Sequence, residues 1–433
     1  MDKETSRRIM DAVDHRFNEQ TDFLTEISRH ASIRGAEQSA QKLIDEQLRE
    51  RGYSTDLWEI NVDDIANLPG FSPVLGNYDE ALNVVATHHG RSQNGNSLIL
   101  NGHIDVVPVG PLDMWQRPPF EPYCEDGWMY GRGVGDMKAG LVANLYALDA
   151  LRDAGLQPAA DVYFQSVVEE ECTGNGALAC LQRGYRADAA LIPEPFDEKL
   201  VTSQVGIIWM QVYLRGTPVH AMQTSSGVNA IEAAIPLIAA LRRLEEGWNA
   251  AEPRHARFAH VEHPLNLNIG RIEGGDWPSS VPAWCCFDVR MGIYPGQDID
   301  AARHEIEGCV LEAAREDRYL RDNPPKITYH GFLAEGYSFA DHDKPEAHQA
   351  LAILERAHHR VTGEELQSIP ITATTDARFF GLYADTPALV YGPTAESIHG
   401  FNERVELESV KRITQSIALF IAGWCGLEKY SRD

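Results

Sequence analysis

The sequence predicts an α/β protein into which a second, smaller α+β unit is inserted. Between residues 83 and 192, apolar segments of strand length alternate with amphipathic helical segments, as in α/β proteins. From residue 206 the order becomes strand, helix, strand, strand, helix, strand, which is the order of a ferredoxin-like unit. We therefore expect a first domain made of residues 1–205 and 332–433, with residues 206–331 as the insertion.

The elements of the first domain follow from apolar spacing and from turn residues. Apolar residues at helical spacing predict helices at 4–30, 36–51, 136–155, 174–183 and 348–361. Strands are predicted at 53–60, 83–88, 97–101, 161–168 and 187–192, with a Pro- and Gly-containing loop at 61–80 and a further strand and helix between 371 and 422. Because these strands are almost continuously apolar, we expect a sheet that is covered on both faces.

The insertion is predicted from the same signals. Strands are expected at 207–214, 265–272, 281–291 and 326–330, and helices at 229–246 and 298–316. The pair Gly274-Gly275 marks the turn between the two middle strands. Four strands and two helices in this order form a compact two-layer unit.

Charge and composition exclude several classes of partner. The chain has 433 residues, is 43% hydrophobic and carries a net charge of −26, so nucleic acid and anionic membranes are poor partners. No segment has the ~18 uninterrupted apolar residues of a membrane helix. The first residues are charged and lack the apolar core of a signal peptide, which favours a cytoplasmic protein.

The seven cysteines are scattered and include no Cys-x-x-Cys pair. An odd number without paired spacing is typical of reduced, structural thiols. Any bound metal is therefore expected to be held by histidines and carboxylates.

Such residues lie at the ends of successive predicted elements, where α/β sheets bind their ligands. His103 and Asp105 end one strand, an acidic run at 169–171 follows the next, and Glu194 follows a third. Each has a simpler explanation when taken alone, such as a structural histidine, a solvated acidic face or a turn residue. Their coincidence favours metal-assisted hydrolysis, which needs ligands, a general base and, for two metals, a shared carboxylate.

The motifs of the chain resemble those of the di-zinc amidohydrolases and peptidases that include acetylornithine deacetylase, succinyl-diaminopimelate desuccinylase, aminoacylase and glutamate carboxypeptidase. The resemblance covers essentially the whole chain. The matching segments are Gly102-His103-Ile104-Asp105, Tyr130-Gly131-Arg132-Gly133-Val134-Gly135-Asp136-Met137-Lys138, Glu170-Glu171, Pro193-Glu194-Pro195 and Ile398-His399-Gly400. This family has a mixed-sheet catalytic domain with an inserted ferredoxin-like lid and dimerisation domain.

The resemblance implies a role for each of these residues around two Zn2+ ions, which Co2+ or Mn2+ often replace. One zinc is expected on His103 and Glu194, and the other on Glu171 and His399. Asp136 is expected to bridge both ions and to precede a cis peptide bond. Asp105, two residues after His103, is expected to orient its imidazole.

Counting back from Gly176, as the family spacing requires, places the catalytic pair at Glu170-Glu171 and not at Glu169-Glu170. Glu170 is then the general base. A Glu suits this role because its carboxylate can take a proton from water and return it to the leaving amine.

The insertion resembles the family's lid. Its segment Gly216-Thr217-Pro218-Val219-His220-Ala221 matches the one whose histidine enters the active site of a second subunit, so His220 implies a homodimer. Val219 departs from the small residue that is usual there. Asn268 and Arg290 match positions that bind a substrate carboxylate or carbonyl, although Arg290 could instead pair with Asp288. Thr374 begins a segment that we expect to line the pocket.

The resemblance predicts a hydrolase that removes the acyl group from an N-acyl amino acid or a similar small N-acyl amine. Two alternatives on the same site stay open: a dipeptidase or carboxypeptidase, and a deformylase of a heterocyclic amine. A non-enzymatic binding protein of the same fold is disfavoured, because all five ligand positions and Glu170 are present.

Overall fold

The computed structural model describes residues 1–431. In this part of the chain there are nine α-helices and nineteen strands. The helices are α1 (Lys3–Ser28), α2 (Gln38–Glu50), α3 (Val62–Ile65), α4 (Ala139–Asp153), α5 (Asn175–Gln182), α6 (Ala230–Ala250), α7 (Ile299–Glu316), α8 (Pro345–Thr362) and α9 (Leu407–Trp424). The strands are β1 (Ser54–Glu59), β2 (Leu82–His88), β3 (Leu98–His103), β4 (Tyr123–Glu125), β5 (Trp128–Tyr130), β6 (Leu156–Pro158), β7 (Val162–Val167), β8 (Ala189–Ile192), β9 (Leu200–Gln204), β10 (Gly206–Arg215), β11 (Leu267–Gly274), β12 (Trp284–Ile293), β13 (Lys326–Ala334), β14 (Tyr337–Ser338), β15 (Ser368–Ile371), β16 (Ala388–Val390), β17 (Ala395–Glu396), β18 (Arg404–Glu406) and β19 (Leu427–Lys429).

A nine-stranded mixed sheet organises the larger part of the molecule. Its strand order is β1-β2-β7-β3-β8-β16-β9-β14, with β15 paired to β9. The central neighbours β7, β3, β8 and β16 run parallel to one another, whereas β2 and β14 pair antiparallel to their neighbours. The sheet and the helices packed on it, of which α4 is buried along most of its length, share one hydrophobic core. The predicted α/β class and mixed sheet are confirmed.

A second sheet has the order β11-β12-β10-β13 and is antiparallel throughout. Helices α6 and α7 pack on one of its faces and form a separate core with it. Side chains on β10 and β12 alternate between this core and the opposite face. We propose that this sheet and its two helices form the inserted domain. Because β13 pairs with β10 as far as Ala334, we move the second boundary of the insertion from residue 331 to residue 334.

Several elements differ from the prediction at their ends. Strand β3 continues to His103, so this histidine is the last residue of its strand. The predicted loop at 61–80 contains the short helix α3, whose first N–H groups are capped by Asn61. Strand β12 begins three residues later than expected and ends at Ile293. No helix among the described residues is both long and apolar enough to cross a membrane.

Candidate active site

The predicted metal-ligating and catalytic residues converge at one edge of the large sheet. Strands β7, β3 and β8 are adjacent and parallel, so their carboxyl ends meet. His103 ends β3, the acidic run at 169–171 follows β7, and Glu194 follows β8. Asp136 precedes α4, and His399 lies in the loop between β17 and β18. Residues that are far apart in the sequence thus reach one place because the strands that carry them are neighbours.

The carboxylate of Asp136 stands between the two histidines. His103 Nε2 lies 3.2 Å from Asp136 Oδ1, and His399 Nε2 lies 3.3 Å from Asp136 Oδ2. The two oxygens of one side chain therefore face two different imidazoles. The peptide bond between Asp136 and Met137 is cis, as the resemblance implied.

Two further carboxylates lie on opposite sides of Asp136, one beside each histidine. Glu194 Oε1 lies 3.7 Å from His103 Nε2, and Glu171 Oε2 lies 3.1 Å from His399 Nε2. His103, Asp136 and Glu171 offer donor atoms close enough together for one cation, and so do His103, Glu170 and Glu194. The arrangement has one imidazole and one carboxylate on each side of Asp136.

The histidines respond strongly to the surrounding negative charge. Burial lowers the pKa of His103, but the Asp105 and Asp136 carboxylates outweigh this effect and raise it well above its usual value. Burial also opposes protonation of His399, whose pKa is nevertheless raised to about 11 by Glu171 and Asp136. A site that holds protons this tightly is one that attracts cations.

The side chains of the acidic run at 169–171 point in two different directions. Glu169 turns away from the histidines, where it pairs with Arg34 at 2.5 Å and accepts a hydrogen bond from the Thr173 hydroxyl. Glu170 Oε2 lies 3.8 Å from His103 Nε2, at the cluster itself. Burial, and after it the Glu194 carboxylate, raises the pKa of Glu170 well above its ordinary value. Glu170 and Glu171 thus lie at the cluster, whereas Glu169 does not.

Asp105 contacts His103 differently from our expectation. The His103 Nδ1 atom is 2.9 Å from the backbone carbonyl oxygen of Asp105, while the carboxylate oxygen Oδ1 is 3.6 Å away. The backbone carbonyl of Asp105 is thus closer to this nitrogen than its carboxylate is. The other carboxylate oxygen accepts a hydrogen bond from the backbone N–H of Glu171 at 3.1 Å. Asp105 thus connects the end of β3 to the segment that follows β7.

Sequence reasoning missed Glu403. This buried side chain accepts hydrogen bonds from the Arg132 guanidinium at 2.6 Å and from three backbone N–H groups of the loop that carries Asp136. Those N–H groups belong to Gly133, Gly135 and Asp136, at 2.9, 3.0 and 3.1 Å. No local pattern around Glu403 indicates this role, because its partners lie about 270 residues earlier in the chain.

A cavity of about 910 Å³ opens above the cluster, between the large sheet and the small one. Asn268, Arg290 and Thr374 are among the residues that line it. Arg290 donates hydrogen bonds to the carbonyls of Asn266 and Thr372. The alternative in which it pairs with Asp288 is wrong, because no carboxylate of the described residues lies within ion-pair distance of it.

His220 lies elsewhere. It is exposed at the start of a short helical turn, where its Nδ1 accepts a hydrogen bond from the backbone N–H of Met222, and it is not among the residues that line the cavity. Within one chain, the structure does not bring His220 to the other predicted site residues.

The fold and this set of histidines and carboxylates define the metallopeptidase class. The chain belongs to peptidase family M20/M25/M40, whose sequence model matches residues 99–423, about three quarters of its length. The predicted family is thereby confirmed, and with it the prediction of an enzyme that hydrolyses amide bonds.

One relative, N-formyl-4-amino-5-aminomethyl-2-methylpyrimidine deformylase from Halalkalibacterium halodurans, is 31% identical over 405 residues, which are 90% of this chain and 90% of its own length. A dipeptidase from Saccharomyces cerevisiae has the same fold with a TM-score of 0.78 and 16% identity, covering 97% of this chain and 98% of its own. A dinuclear metal-binding peptidase from Bacillus subtilis aligns with a TM-score of 0.56 and 13% identity over 94% of this chain and 98% of its own. The deformylase matches the alternative that the sequence left open, and it gives no specific support to an N-acyl amino acid as substrate.

Proposed function

We propose that the chain is a metal-dependent amidohydrolase that removes the formyl group from a small heteroaromatic formamide, releasing formate and the free amine. The observation that carries this proposal is the carboxylate of Asp136, whose two oxygens face His103 and His399 at the floor of a largely apolar cavity. The likeness to a deformylase supports the choice of the formyl group.

The donor set fits two divalent cations. Four carboxylates, those of Asp136, Glu170, Glu171 and Glu194, converge with two imidazoles, and Glu170 and Glu194 are buried. Carboxylates that are buried together without a compensating cation repel one another strongly. Imidazole nitrogens and carboxylate oxygens are ligands of Zn2+, and cobalt and manganese accept them as well. We propose zinc, on His103 and Glu194 at one position and on Glu171 and His399 at the other, with Asp136 shared.

The bound cations and Glu170 would then have separate roles in the reaction. When bound, the two cations lower the pKa of water and polarise the carbonyl of the amide. Glu170 takes one proton from the attacking water as the new C–O bond forms. It returns this proton to the amine nitrogen as the C–N bond breaks, so that the carboxylate is restored.

A second candidate is a deacylase or dipeptidase that acts on a substrate with a carboxylate. The observation in its favour is Arg290, which lines the cavity and meets only backbone carbonyls. A guanidinium without a carboxylate partner can bind the carboxylate of an amino acid.

We propose that the chain forms a homodimer through its smaller sheet. Strand β11 is an edge strand, and large apolar side chains within it and just after it are exposed, namely Ile272 at 50% and Trp277 at 69%. An uncovered edge beside exposed apolar residues is typical of an interface. His220, also exposed, would then serve the site of the second subunit.

We further propose a cytoplasmic protein with small-molecule substrates. All seven cysteines lie within the described residues and are unpaired, which is usual in a reducing compartment.

The proposed activity is tested with the purified protein loaded with zinc. Its rates are compared on the formamide of 4-amino-5-aminomethyl-2-methylpyrimidine, on N-acetyl amino acids and on dipeptides, with metal analysis of the same sample. We expect about two metals per chain and the highest kcat/KM on the formamide, with loss of activity on chelation. Higher rates on N-acetyl amino acids or dipeptides would replace the proposal with the second candidate.

A further inference from the structure

One face of the smaller sheet forms a polar wall of the cavity. Because side chains alternate along a strand, Trp209 and Gln211 of β10 and Asp288 of β12 point away from the helices and into the cavity. His330 and Phe332 of β13 line the same wall. None of these five residues belongs to the metal cluster or to the proton transfer described above.

This wall holds polar atoms that no other described residue satisfies. Both ring nitrogens of His330 and the Nε1 atom of Trp209 are buried without a hydrogen-bond partner in the described part of the chain. His330 Nε2 lies 3.7 Å from Asp288 Oδ1, which is too far for a hydrogen bond. Buried polar groups in native proteins are nearly always hydrogen-bonded, so these atoms point to a ligand.

The backbone holds these side chains in place. The pairing of β10 with β13 shifts in register between Ile208 and Met210, opposite the segment that contains His330. Such a bulge changes the direction in which side chains point. Gly331 follows with a φ of 70°, and a side chain there would collide with the Trp209 ring. Gln211 Nε2 donates to Asp288 Oδ1 at 2.9 Å and so fixes that carboxylate.

We propose that this wall binds the amine half of the substrate and selects an aminopyrimidine ring. The inference rests on the proposed deformylase function. His330 and Trp209 supply N–H donors, and Asp288 supplies a carboxylate acceptor. This is the complement of an aminopyrimidine, which presents two ring nitrogens as acceptors and one amino group as a donor. The Trp209 and Phe332 rings, in contact edge to face with centroids 5.2 Å apart, give the ring an apolar flank.

The same wall disfavours a carboxylate at this position. Asp288 is negatively charged, and the cavity offers it no ion pair with Arg290. A substrate carboxylate placed against Asp288 would meet a like charge in a partly desolvated site, which is unfavourable. At the position beside Asp288, the wall therefore favours an amino group over a carboxylate.

The test compares two formamides, that of 4-amino-5-aminomethyl-2-methylpyrimidine and that of 5-aminomethyl-2-methylpyrimidine, which lacks the ring amino group. We expect the zinc-loaded wild type to prefer the first by about 10- to 100-fold in kcat/KM, the range of one charge-assisted hydrogen bond. Asp288→Ala should reduce the ratio of the two kcat/KM values to about 1. The exposed Asp322 provides the control variant Asp322→Ala, which should keep the full preference.

Binding of the free amines by calorimetry separates this inference from the proposed function. If the wild type cleaves neither formamide but binds the 4-amino compound more tightly than Asp288→Ala does, the subsite stands and the proposed reaction fails. If the wild type cleaves both formamides and Asp288→Ala leaves their ratio unchanged, the reaction stands and the subsite is wrong. Equal binding of both amines by wild type and variant likewise overturns the subsite.

Discussion

Glu170 is the residue that we propose as the general base beside the proposed metal ligands. Its carboxylate lies 3.8 Å from His103, almost the same distance as the proposed ligand Glu194 at 3.7 Å, so the two roles are separated by experiment and not by distance. Substitution of a metal ligand is expected to lower the metal content. Substitution of the base is expected to lower turnover and to leave the metal content unchanged, so the two roles give different experimental results.

Glu170→Gln is expected to lower kcat by about 10² to 10⁴-fold, because an amide cannot take the proton of the attacking water. The metal content should remain that of the wild type. Steady-state kinetics together with metal analysis of the same preparation check this prediction.

The matched control is Glu169→Gln, since Glu169 faces Arg34 and not the histidines. Its kcat should stay within about tenfold of the wild type, because it changes no group that transfers a proton. If Glu169→Gln abolished turnover while Glu170→Gln did not, the assignment within the acidic run would be wrong.

For single residues, the sequence predicts site side chains at the ends of buried strands. It does not predict those whose partners lie far away in the sequence. His103 and Glu194 could be found because each comes directly after an apolar run that becomes a strand. Glu403 could not, since its contacts to Arg132 and Gly133 exist only in the folded chain. The carbonyl of Asp105 was missed for a similar reason, because the direction of the chain after β3 is set by packing and not by residue type.

Glu403 holds in shape the segment from Gly131 to Asp136, which includes the start of a short helical turn at Val134. Both oxygens of this carboxylate are occupied, by the Arg132 guanidinium and by three backbone N–H groups. Burial raises the pKa of Glu403, while the hydrogen bond from Gly133 opposes this shift. The loop positions Asp136, so its shape and the geometry of the cluster depend on one another.

Glu403→Ala is expected to lower the free energy of unfolding by about 3–5 kcal/mol, because it leaves a buried arginine without its partner. It should also weaken metal binding, since Asp136 loses the contact that fixes its backbone. Denaturant titration and competition with a chelator measure the two effects.

Glu396→Ala serves as the comparison, because Glu396 pairs with Arg404 at the exposed surface of the neighbouring strands. Surface ion pairs contribute little to stability, so we expect almost no change in either measurement. Equal effects of the two substitutions would show that Glu403 has no special role in holding the loop.

Helices and strands were predictable where they are long and their apolar residues recur at regular spacing. Helices α6 and α7 and strand β10 fall close to their expected bounds because each has a continuous apolar face. Strands β4, β5, β17 and β18 have two or three residues each and form only by pairing with one another, which no local pattern reveals.

For the whole molecule, the position of His220 bears on whether one chain contains a complete active site. His220 is exposed and outside the cavity, although its sequence context resembles that of a histidine that acts on a second subunit. If the proposed dimer forms, each site would combine residues of two chains.

Mixing two inactive variants tests this arrangement. A hybrid of His220→Ala and Glu170→Gln chains has one site with both residues intact, if His220 acts across the dimer. An equimolar mixture of exchanged subunits should then recover about one quarter of the wild-type activity, because half of the dimers are hybrids with one active site each.

The mixture of each variant with itself is the control and should stay inactive. Absence of recovery in a mixture shown by mass spectrometry to contain hybrid dimers would mean that His220 acts within its own chain or not at all. A monomer in sedimentation experiments would remove the dimer itself.

The antiparallel pairing of β9 with β14 has a consequence for the history of the chain. Gln204 is paired with Tyr337, so the two strands face each other although 132 residues separate them. Gly206 and Gly336, at the two connections, lie so close that a side chain on Gly206 would meet the backbone of the other. Without the residues between them, β9 and β14 would be an ordinary hairpin. The smaller sheet therefore occupies the position of a hairpin turn, where an ancestral protein could acquire a new domain without any rearrangement of its existing strands.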